Sequence, residues 1–196
     1  SMGGGAAWAY ALAHPDRLEG LVLVDAAGWP RDEEESGSRP FIFRLLDIGL
    51  ARQLMRDLDM TPLIRDGLKD SFGNPYFVTE EMVERYASLA RAPCHREALL
   101  QLSAGRGDRT EATEELLKAI TAPTLVMHGE NDNLIPAAHG ERFAAAIPGA
   151  EFKLYPGIGH LPQEEIAEES AGDLRAFLGR RVHGVEDTGL EAIPPS

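Results

Sequence analysis

One serine, one aspartate and one histidine of the sequence lie in settings that suit nucleophilic catalysis. Ser1 opens the segment SMGGG and is followed at once by a small, apolar helical pattern. Asp132 lies in HGENDNLIP after a predicted strand, and His160 lies in YPGIGHLP before the last predicted helix. A serine that attacks a carbonyl needs a histidine as its base, and that histidine needs a carboxylate to hold its ring. These residues predict acyl transfer by a triad of Ser1, Asp132 and His160.

The case for Ser1 depends on a short motif. A nucleophilic serine lies on a tight strand-to-helix turn with glycines nearby, usually as G-x-S-x-G, and this sequence has only the S-x-G part, at residues 1–3. Such a turn aims main-chain N–H groups at a developing oxyanion, and the N–H of Met2 is the predicted donor. The alternative interpretation of Ser1 is a residue left after cleavage of an expression tag.

The acid of the triad has two candidates. Asp132 follows the predicted strand Thr124–His128, where a rigid strand end can hold a carboxylate that orients a histidine. Its alternative role is to cap the helix that begins near Pro136. Asp25 ends the predicted strand Leu21–Asp25 and is the rival acid, because it too lies at a strand end.

His160 is the predicted general base. It follows a predicted strand, lies between two turn-forming segments and precedes the closing helix, so its backbone is held in place. The alternative is an ordinary surface histidine. His128 ends a strand and is interpreted as packed or hydrogen-bonded. The histidines show no metal-ligand spacing, and we predict no metal site.

The elements that must position these residues alternate between helix and strand. Residues Gly3–His14 are small and apolar on most faces, which predicts a buried helix. The runs LVLVD at 21–25 and TLVMH at 124–128 are apolar on both faces, as is typical of inner strands of a parallel sheet. The run EFKLY at 151–155 alternates and predicts a strand nearer an edge. This succession predicts an α/β fold.

The middle of the chain has a different sequence pattern. Helical periodicity with little strand character marks Phe41–Leu58, Thr61–Lys69, Thr79–Ala92 and His95–Ala104. We therefore predict an all-helical cap over residues 29–108, inserted between two parts of the core at 1–28 and 109–178. Core helices are predicted at 110–120, 139–147 and 163–178, and residues 179–196 are predicted to form a flexible tail.

The order of serine, aspartate and histidine along the chain is that of α/β-hydrolases. Residues 1–30 (SMGGGAAWAYALAHPDRLEGLVLVDAAGWP) resemble the nucleophile elbow, its helix and the next strand of that superfamily. Residues 121–178 resemble its acid loop, histidine loop and terminal helix, and residues 29–108 lie where the family inserts its cap. The resemblance implies a mostly parallel sheet flanked by helices. It also implies hydrolysis of an ester, thioester, lactone, amide or C–C bond, with no cofactor.

The sequence departs from the family pattern in three respects. The first strands and the His-Gly oxyanion loop are absent, so we expect a preceding N-terminal half of the same fold as a partner. A serine nucleophile argues against haloalkane dehalogenases and epoxide hydrolases, which use aspartate there. Leu161 follows His160, whereas meta-cleavage-product hydrolases often have tryptophan, which favours an ester-like bond over a C–C bond.

Aromatic side chains of the cap suggest an apolar pocket for the substrate. The predicted substrate-binding residues are Trp29, Phe41, Phe43, Tyr76 and Phe77, together with Leu161. Packing within the protein is the alternative for each of these side chains.

The charge and composition exclude several classes of function. A net charge of −13 over 196 residues leaves no basic face for nucleic acid and disfavours an anionic membrane surface. No apolar stretch approaches the roughly 20 residues of a membrane span. The single cysteine, Cys94, cannot form an internal disulfide, and no secretory leader opens the chain. We expect a cytoplasmic enzyme that binds a small-molecule substrate and is able to form a homodimer.

Two other classes of function compete with the triad. In an N-terminal-nucleophile hydrolase the α-amine of Ser1 would itself be the base, and His160 would be dispensable. In a non-catalytic interaction module the fold would be kept without an oxyanion loop. The loops that carry Asp132 and His160 favour the triad.

Overall fold

The computed structural model describes residues 1–30, 59–95, 97–98, 101, 110–181 and 184. The predicted helix Phe41–Leu58, with Phe41 and Phe43, lies outside the described residues, as does most of the predicted helix His95–Ala104.

Three parallel strands form the sheet of the described chain. They are β1 at Leu21–Val24, β2 at Thr124–Gly129 and β3 at Glu151–Tyr155, in the order β1-β2-β3. Leu23 lies opposite Val126 in the register between β1 and β2. The strand predictions are confirmed to within one residue, and β3 lies at an edge of this sheet as predicted.

Helices flank these strands, and helices also lie between β1 and β2 in the described part of the chain. Their bounds are α1 Met2–Ala13, α2 Thr61–Ser71, α3 Glu80–Arg91, α4 Glu114–Leu117, α5 Ala137–Ala146, α6 Pro162–Glu165 and α7 Ala167–Arg181. Short 3-10 turns occur at Pro15–Arg17 and Pro75–Phe77. None of the described helices is long and apolar enough to cross a membrane.

One face of the sheet packs against α1 and α5. Leu23 and Val126 lie in a buried cluster with Trp8 of α1 and Phe143 of α5. The two aromatic rings have centroids 6.5 Å apart. Burial of a large apolar side chain contributes roughly 1.5–3 kcal/mol relative to exposure, so this cluster holds α1 firmly on the sheet.

The opposite face of the sheet packs against α7. Successive side chains of a strand point to opposite faces, so Leu125 and Met127 lie on the other side from Val126. They form a second buried cluster with Tyr155 of β3 and Phe177 of α7. The parallel sheet is therefore covered on both faces, as its apolar strands predict.

The described part of the predicted cap is helical. Thr79 caps α3 by accepting a hydrogen bond from the N–H of Met82. Leu68 of α2, Phe72 and Val83 of α3 form a separate small apolar cluster. The division of the chain at residues 29 and 108 stays a prediction.

Two helix predictions differ from the structure. The closing helix is split at Ile166, whose φ of −132° and ψ of 52° are not helical, into α6 and α7. Helix α7 ends at Arg181, so the first residues of the predicted tail are helical. Helix α4 is only the central turn of the predicted helix 110–120.

Candidate active site

The carboxyl ends of the three strands bring the predicted residues to one edge of the sheet. Asp25 directly follows β1, Asp132 lies three residues after β2, and His160 lies five residues after β3. The main-chain nitrogen of Ser1 donates to the carbonyl of Val24 at 2.9 Å. Parallel strands end together, so one serine, two acids and one histidine meet at this edge.

His160 and Asp132 form a direct, buried pair. Nδ1 of His160 lies 2.7 Å from Oδ2 of Asp132, and the two residues are 6% and 8% exposed. The other carboxylate oxygen, Oδ1, accepts N–H groups from Leu134 at 2.7 Å and Ile135 at 3.0 Å. The acid therefore anchors its own loop with one oxygen and holds the histidine ring with the other.

The environment keeps the carboxylate of Asp132 ionised. Burial by itself would raise the pKa of Asp132. Hydrogen bonds from His128 and His160, with the charge of His160 and the N–H of Ile135, outweigh burial and lower this pKa well below its usual range. An ionised acid is what a neighbouring imidazolium requires.

Asp25 lies beside this pair but is hydrogen-bonded to a different partner. It is fully buried, and its Oδ1 accepts the N–H of Gly129 at 2.9 Å. Its other oxygen, Oδ2, has no hydrogen-bond partner among the described residues. Its φ of 44° is in the left-handed region that non-glycine residues rarely adopt. The direct bond from His160 favours Asp132 over Asp25 as the acid of the site.

Burial raises the pKa of Asp25 to about 7, against an opposing contribution from His128. Between the ordinary value of 3.8 and 7, the folded protein holds a proton that the unfolded chain has released. The free energy of unfolding therefore falls as the pH rises through this window.

Asp25→Asn is expected to remove this loss of stability, because the amide is neutral and its oxygen can still accept the N–H of Gly129. In urea unfolding, the advantage of the variant over the wild type should be small near pH 4 and grow to a plateau above pH 7. The control is Asp16→Asn, at an exposed position without a burial cost. A difference that stays constant with pH would contradict the interpretation of Asp25.

His128 fills the space between the two acids. Its ring is fully buried, and Nε2 donates to the carbonyl of Ile135 at 3.0 Å. Nε2 also lies 3.4 Å from Oδ2 of Asp132 and 3.6 Å from Oδ1 of Asp25. Burial would lower the pKa of His128, but the two acids and Ile135 outweigh it and raise the pKa. The expected packed, hydrogen-bonded histidine is confirmed, and it lies directly against the acid of the candidate triad.

Asp25, Asp132 and His160 also include atoms of the kind that bind metals. One ligand-type atom of each lies within 4.8 Å of the other two. The ring nitrogen of His160 that faces Asp132 is already hydrogen-bonded to it at 2.7 Å. A nitrogen that donates a proton has no lone pair for a cation, so the arrangement is better suited to proton transfer than to metal binding.

Ser1 lies at the start of α1. It is exposed, and its hydroxyl does not cap the helix. Its carbonyl accepts the N–H of Ala27 at 3.0 Å, which ties the start of the helix to the loop after β1. Although the residue is exposed as a whole, burial of its nitrogen lowers the pKa of the Ser1 amino group, and the carboxyls of Asp25 and Asp132 oppose this shift. Met2 begins the helix, so its N–H has no partner within the helical ladder.

The described members of the predicted substrate-binding set, Trp29, Tyr76, Phe77 and Leu161, lie in different surroundings. Leu161 follows His160 and packs against the small cluster of α2 and α3. Trp29 is buried in the core, where its ring stacks under Arg142 at 4.0 Å. Tyr76 and Phe77 are 93% and 60% exposed. Of the described members, only Leu161 directly follows the histidine in the sequence, and the assignment of Trp29, Tyr76 and Phe77 to the substrate stays a prediction.

A parallel sheet with an acid after one strand and a histidine after the next is typical of the α/β-hydrolase fold. Similar solved structures confirm this fold. The sequence model described as serine aminopeptidase, S33, matches residues 1–167. The chain belongs to this family.

Among curated proteins, a 2-hydroxymuconate semialdehyde hydrolase from a Pseudomonas species is 30% identical over 191 residues, which cover 91% of this chain and 59% of that protein. A 2-hydroxy-6-oxononadienedioate/2-hydroxy-6-oxononatrienedioate hydrolase from Comamonas testosteroni is 28% identical over 170 residues, covering 86% of this chain and 57% of that protein. The chain therefore spans less than two thirds of the length of these relatives.

Solved structures of similar fold include enzymes of two kinds. A thermophilic esterase from Thermogutta terrifontis has a TM-score of 0.70 at 27% identity, covering 93% of this chain and 63% of that chain. A 2-hydroxy-6-oxo-6-phenylhexa-2,4-dienoate hydrolase from a Rhodococcus species has a TM-score of 0.72 at 19% identity, covering 91% and 61%. The latter likeness concerns the fold alone.

Proposed function

We propose that this chain carries the catalytic triad of a serine hydrolase, with Ser1 as nucleophile, His160 as general base and Asp132 as its acid. The observation that supports this most strongly is the buried 2.7 Å contact between Nδ1 of His160 and Oδ2 of Asp132. With Nδ1 bound in this way, Nε2 is the nitrogen left to exchange a proton with a nucleophile.

The reaction proceeds in two steps. His160 takes the hydroxyl proton of Ser1 as the serine oxygen attacks the substrate carbonyl, and the proton then passes to the leaving group. Water next attacks the acyl-enzyme ester, gives its proton to His160 and releases the acid, and the proton returns to Ser1. Asp132 stabilises the imidazolium that forms in both steps. Side chains and water supply the nucleophiles and both proton transfers, so this mechanism needs no cofactor.

The negative charge on the substrate oxygen needs donors in place before it develops. The N–H of Met2 belongs to the first turn of α1, whose N–H groups have no partner within the helix. The positive end of the helix dipole acts in the same direction. We assign Met2 as one oxyanion donor.

We propose an ester-like bond of a small apolar substrate as the bond that is cleaved. Leu161 directly follows His160 and packs against the apolar cluster of α2 and α3, and an apolar side chain next to the histidine supports an apolar substrate group. The esterase from Thermogutta terrifontis, at 27% identity, supports the same bond class.

Hydrolysis of a C–C bond is the second candidate function. It is favoured by the names of the curated relatives at 28% to 30% identity, which are hydrolases of 2-hydroxymuconate semialdehyde and related oxo acids. The same triad could serve both reactions, because each begins at a carbonyl carbon and differs in the group that leaves.

A comparison of two substrates tests the bond class. Turnover of 4-nitrophenyl butyrate is expected to exceed turnover of 2-hydroxymuconate semialdehyde by at least about tenfold in kcat/KM, a difference of about 1.4 kcal/mol in transition-state free energy. The control is the Ser1→Ala variant, which should be inactive with both. The reverse preference would overturn the ester assignment and support C–C hydrolysis, and activity of Ser1→Ala would contradict the triad itself.

A further inference from the structure

Glu165 joins two distant segments by its carboxylate. Oε1 accepts the N–H of Gly159 at 2.7 Å, and Oε2 accepts the N–H of Gly73 at 3.0 Å. Gly159 directly precedes His160, and Gly73 lies just beyond the end of α2. Hydrogen bonds to a carboxylate are stronger than those between neutral groups, so each oxygen contributes to this contact.

The two segments also touch through their backbones. We name residues 70–73 the connector and residues 156–160 the histidine loop. The N–H of His160 itself donates to the carbonyl of Ser71 at 2.6 Å. A Cβ on Gly159 would lie 2.4 Å from that carbonyl oxygen, and a Cβ on Gly73 would lie 2.1 Å from the carbonyl oxygen of Gly157. Glycine at both positions permits this close approach.

The acid loop contacts the same connector. Nδ2 of Asn133, the neighbour of Asp132, donates to the carbonyl of Asp70 at 3.2 Å. The loops that carry Asp132 and His160 therefore both lie against one short stretch, the C-terminal end of α2 and the two residues that follow it. The position of the histidine depends on this stretch as well as on the sheet.

We propose that Glu165 is a positioning residue for His160, which locks the histidine loop to the connector by accepting one N–H from each. This inference rests on the proposed function, in which His160 is the general base. It predicts a specific chemical requirement: both oxygens must be acceptors. Glutamine has nearly the same shape, but its NH₂ group would meet an N–H donor in place of an acceptor.

Three variants separate this role from simple packing. Glu165→Gln and Glu165→Ala are both expected to lower kcat for 4-nitrophenyl butyrate by about 10- to 100-fold with KM little changed, because small displacements of a catalytic group cost rate. The control is Glu164→Gln, in the same helix. Glu164 accepts from Arg85 at 2.7 Å and from the hydroxyl of Tyr86 at 3.2 Å, so it tethers α6 to α3 without contacting the histidine loop. This variant should keep the wild-type kcat.

A spectroscopic measurement makes the test independent of turnover. In proton NMR, the ring proton that His160 shares with Asp132 gives a downfield signal, which should be lost or shifted in Glu165→Gln and kept in Glu164→Gln. If wild-type protein shows the signal but neither ester turnover nor fluorophosphonate labelling, the proposed function fails and the signal still tests the positioning role of Glu165.

Each remaining outcome decides the proposal. Wild-type kcat and an unchanged signal in Glu165→Gln would overturn it, since a residue of the same shape would then suffice. The same loss of kcat in Glu164→Gln would also overturn it, because a contact of α6 that does not involve the histidine loop would then matter equally. If Glu165→Ala does not fold, Glu165→Gln carries the test, and Glu165→Asp, which keeps the charge with a shorter reach, is expected to have an intermediate kcat.

Discussion

Replacing His160 by alanine is expected to lower kcat/KM by about 10⁴-fold or more. In the proposed mechanism the histidine moves the proton in both steps, and its Nδ1 is hydrogen-bonded to Asp132 at 2.7 Å. Without the ring, the mechanism lacks the group that takes the hydroxyl proton of Ser1. Steady-state kinetics with the preferred substrate measure this loss.

His14→Ala is the matched control for His160→Ala. His14 is an exposed histidine at the end of α1, remote from the strand ends that carry the acid and the base. Its loss should leave kcat/KM unchanged. An active His160→Ala variant would contradict the triad and favour the alternative in which the amine of Ser1 is the base.

Replacing Asp132 by asparagine is expected to lower kcat by about 10³- to 10⁴-fold with little change in KM. The asparagine oxygen can still accept the N–H groups of Leu134 and Ile135, which occupy Oδ1 in the wild type. The NH₂ group would then face Nδ1 of His160, so the ring would adopt the tautomer with its proton on Nε2, which cannot accept the proton of the serine. The substitution would also leave the imidazolium without its counter-charge.

Asp25→Asn is the comparison that separates the two acids. The carboxylate of Asp25 accepts the N–H of Gly129, and the amide oxygen of asparagine can accept the same N–H. Most of the activity should therefore remain. An inactive Asp25→Asn beside an active Asp132→Asn would reverse the assignment. Loss in both variants would mean that the two carboxylates act as one unit.

The strands, and the order of the candidate serine, aspartate and histidine along the chain, could be predicted from local sequence. Apolar runs such as TLVMH in β2 are distinctive, and the loops that leave parallel strands lie together at one edge of the sheet. The break at Ile166 could not be predicted in the same way, because no glycine or proline marks it. The burial of Trp29 in the core was also outside the reach of sequence, since residue type does not distinguish packing from substrate contact.

The surroundings of the acid depend on contacts between distant segments. Asp25 and His128 meet because Val24 pairs with Met127, which is a matter of strand register. Glu165 acquires its role only when residues 73 and 159 come together. The sequence contains one signal for the contact of Asp25 with His128, namely an aspartate and a histidine at adjacent strand ends. It contains one signal for the role of Glu165, namely a glutamate five residues after His160. Neither signal specifies a partner without the fold.

Mass spectrometry after treatment with a fluorophosphonate probe tests the proposed triad most directly. The probe reacts with a serine only when a base activates it. We expect one adduct, mapped by peptide to Ser1, that is absent in His160→Ala and strongly reduced in Asp132→Asn. The triad would be contradicted by the lack of an adduct on Ser1 in the folded wild-type protein, or by an equal adduct in His160→Ala.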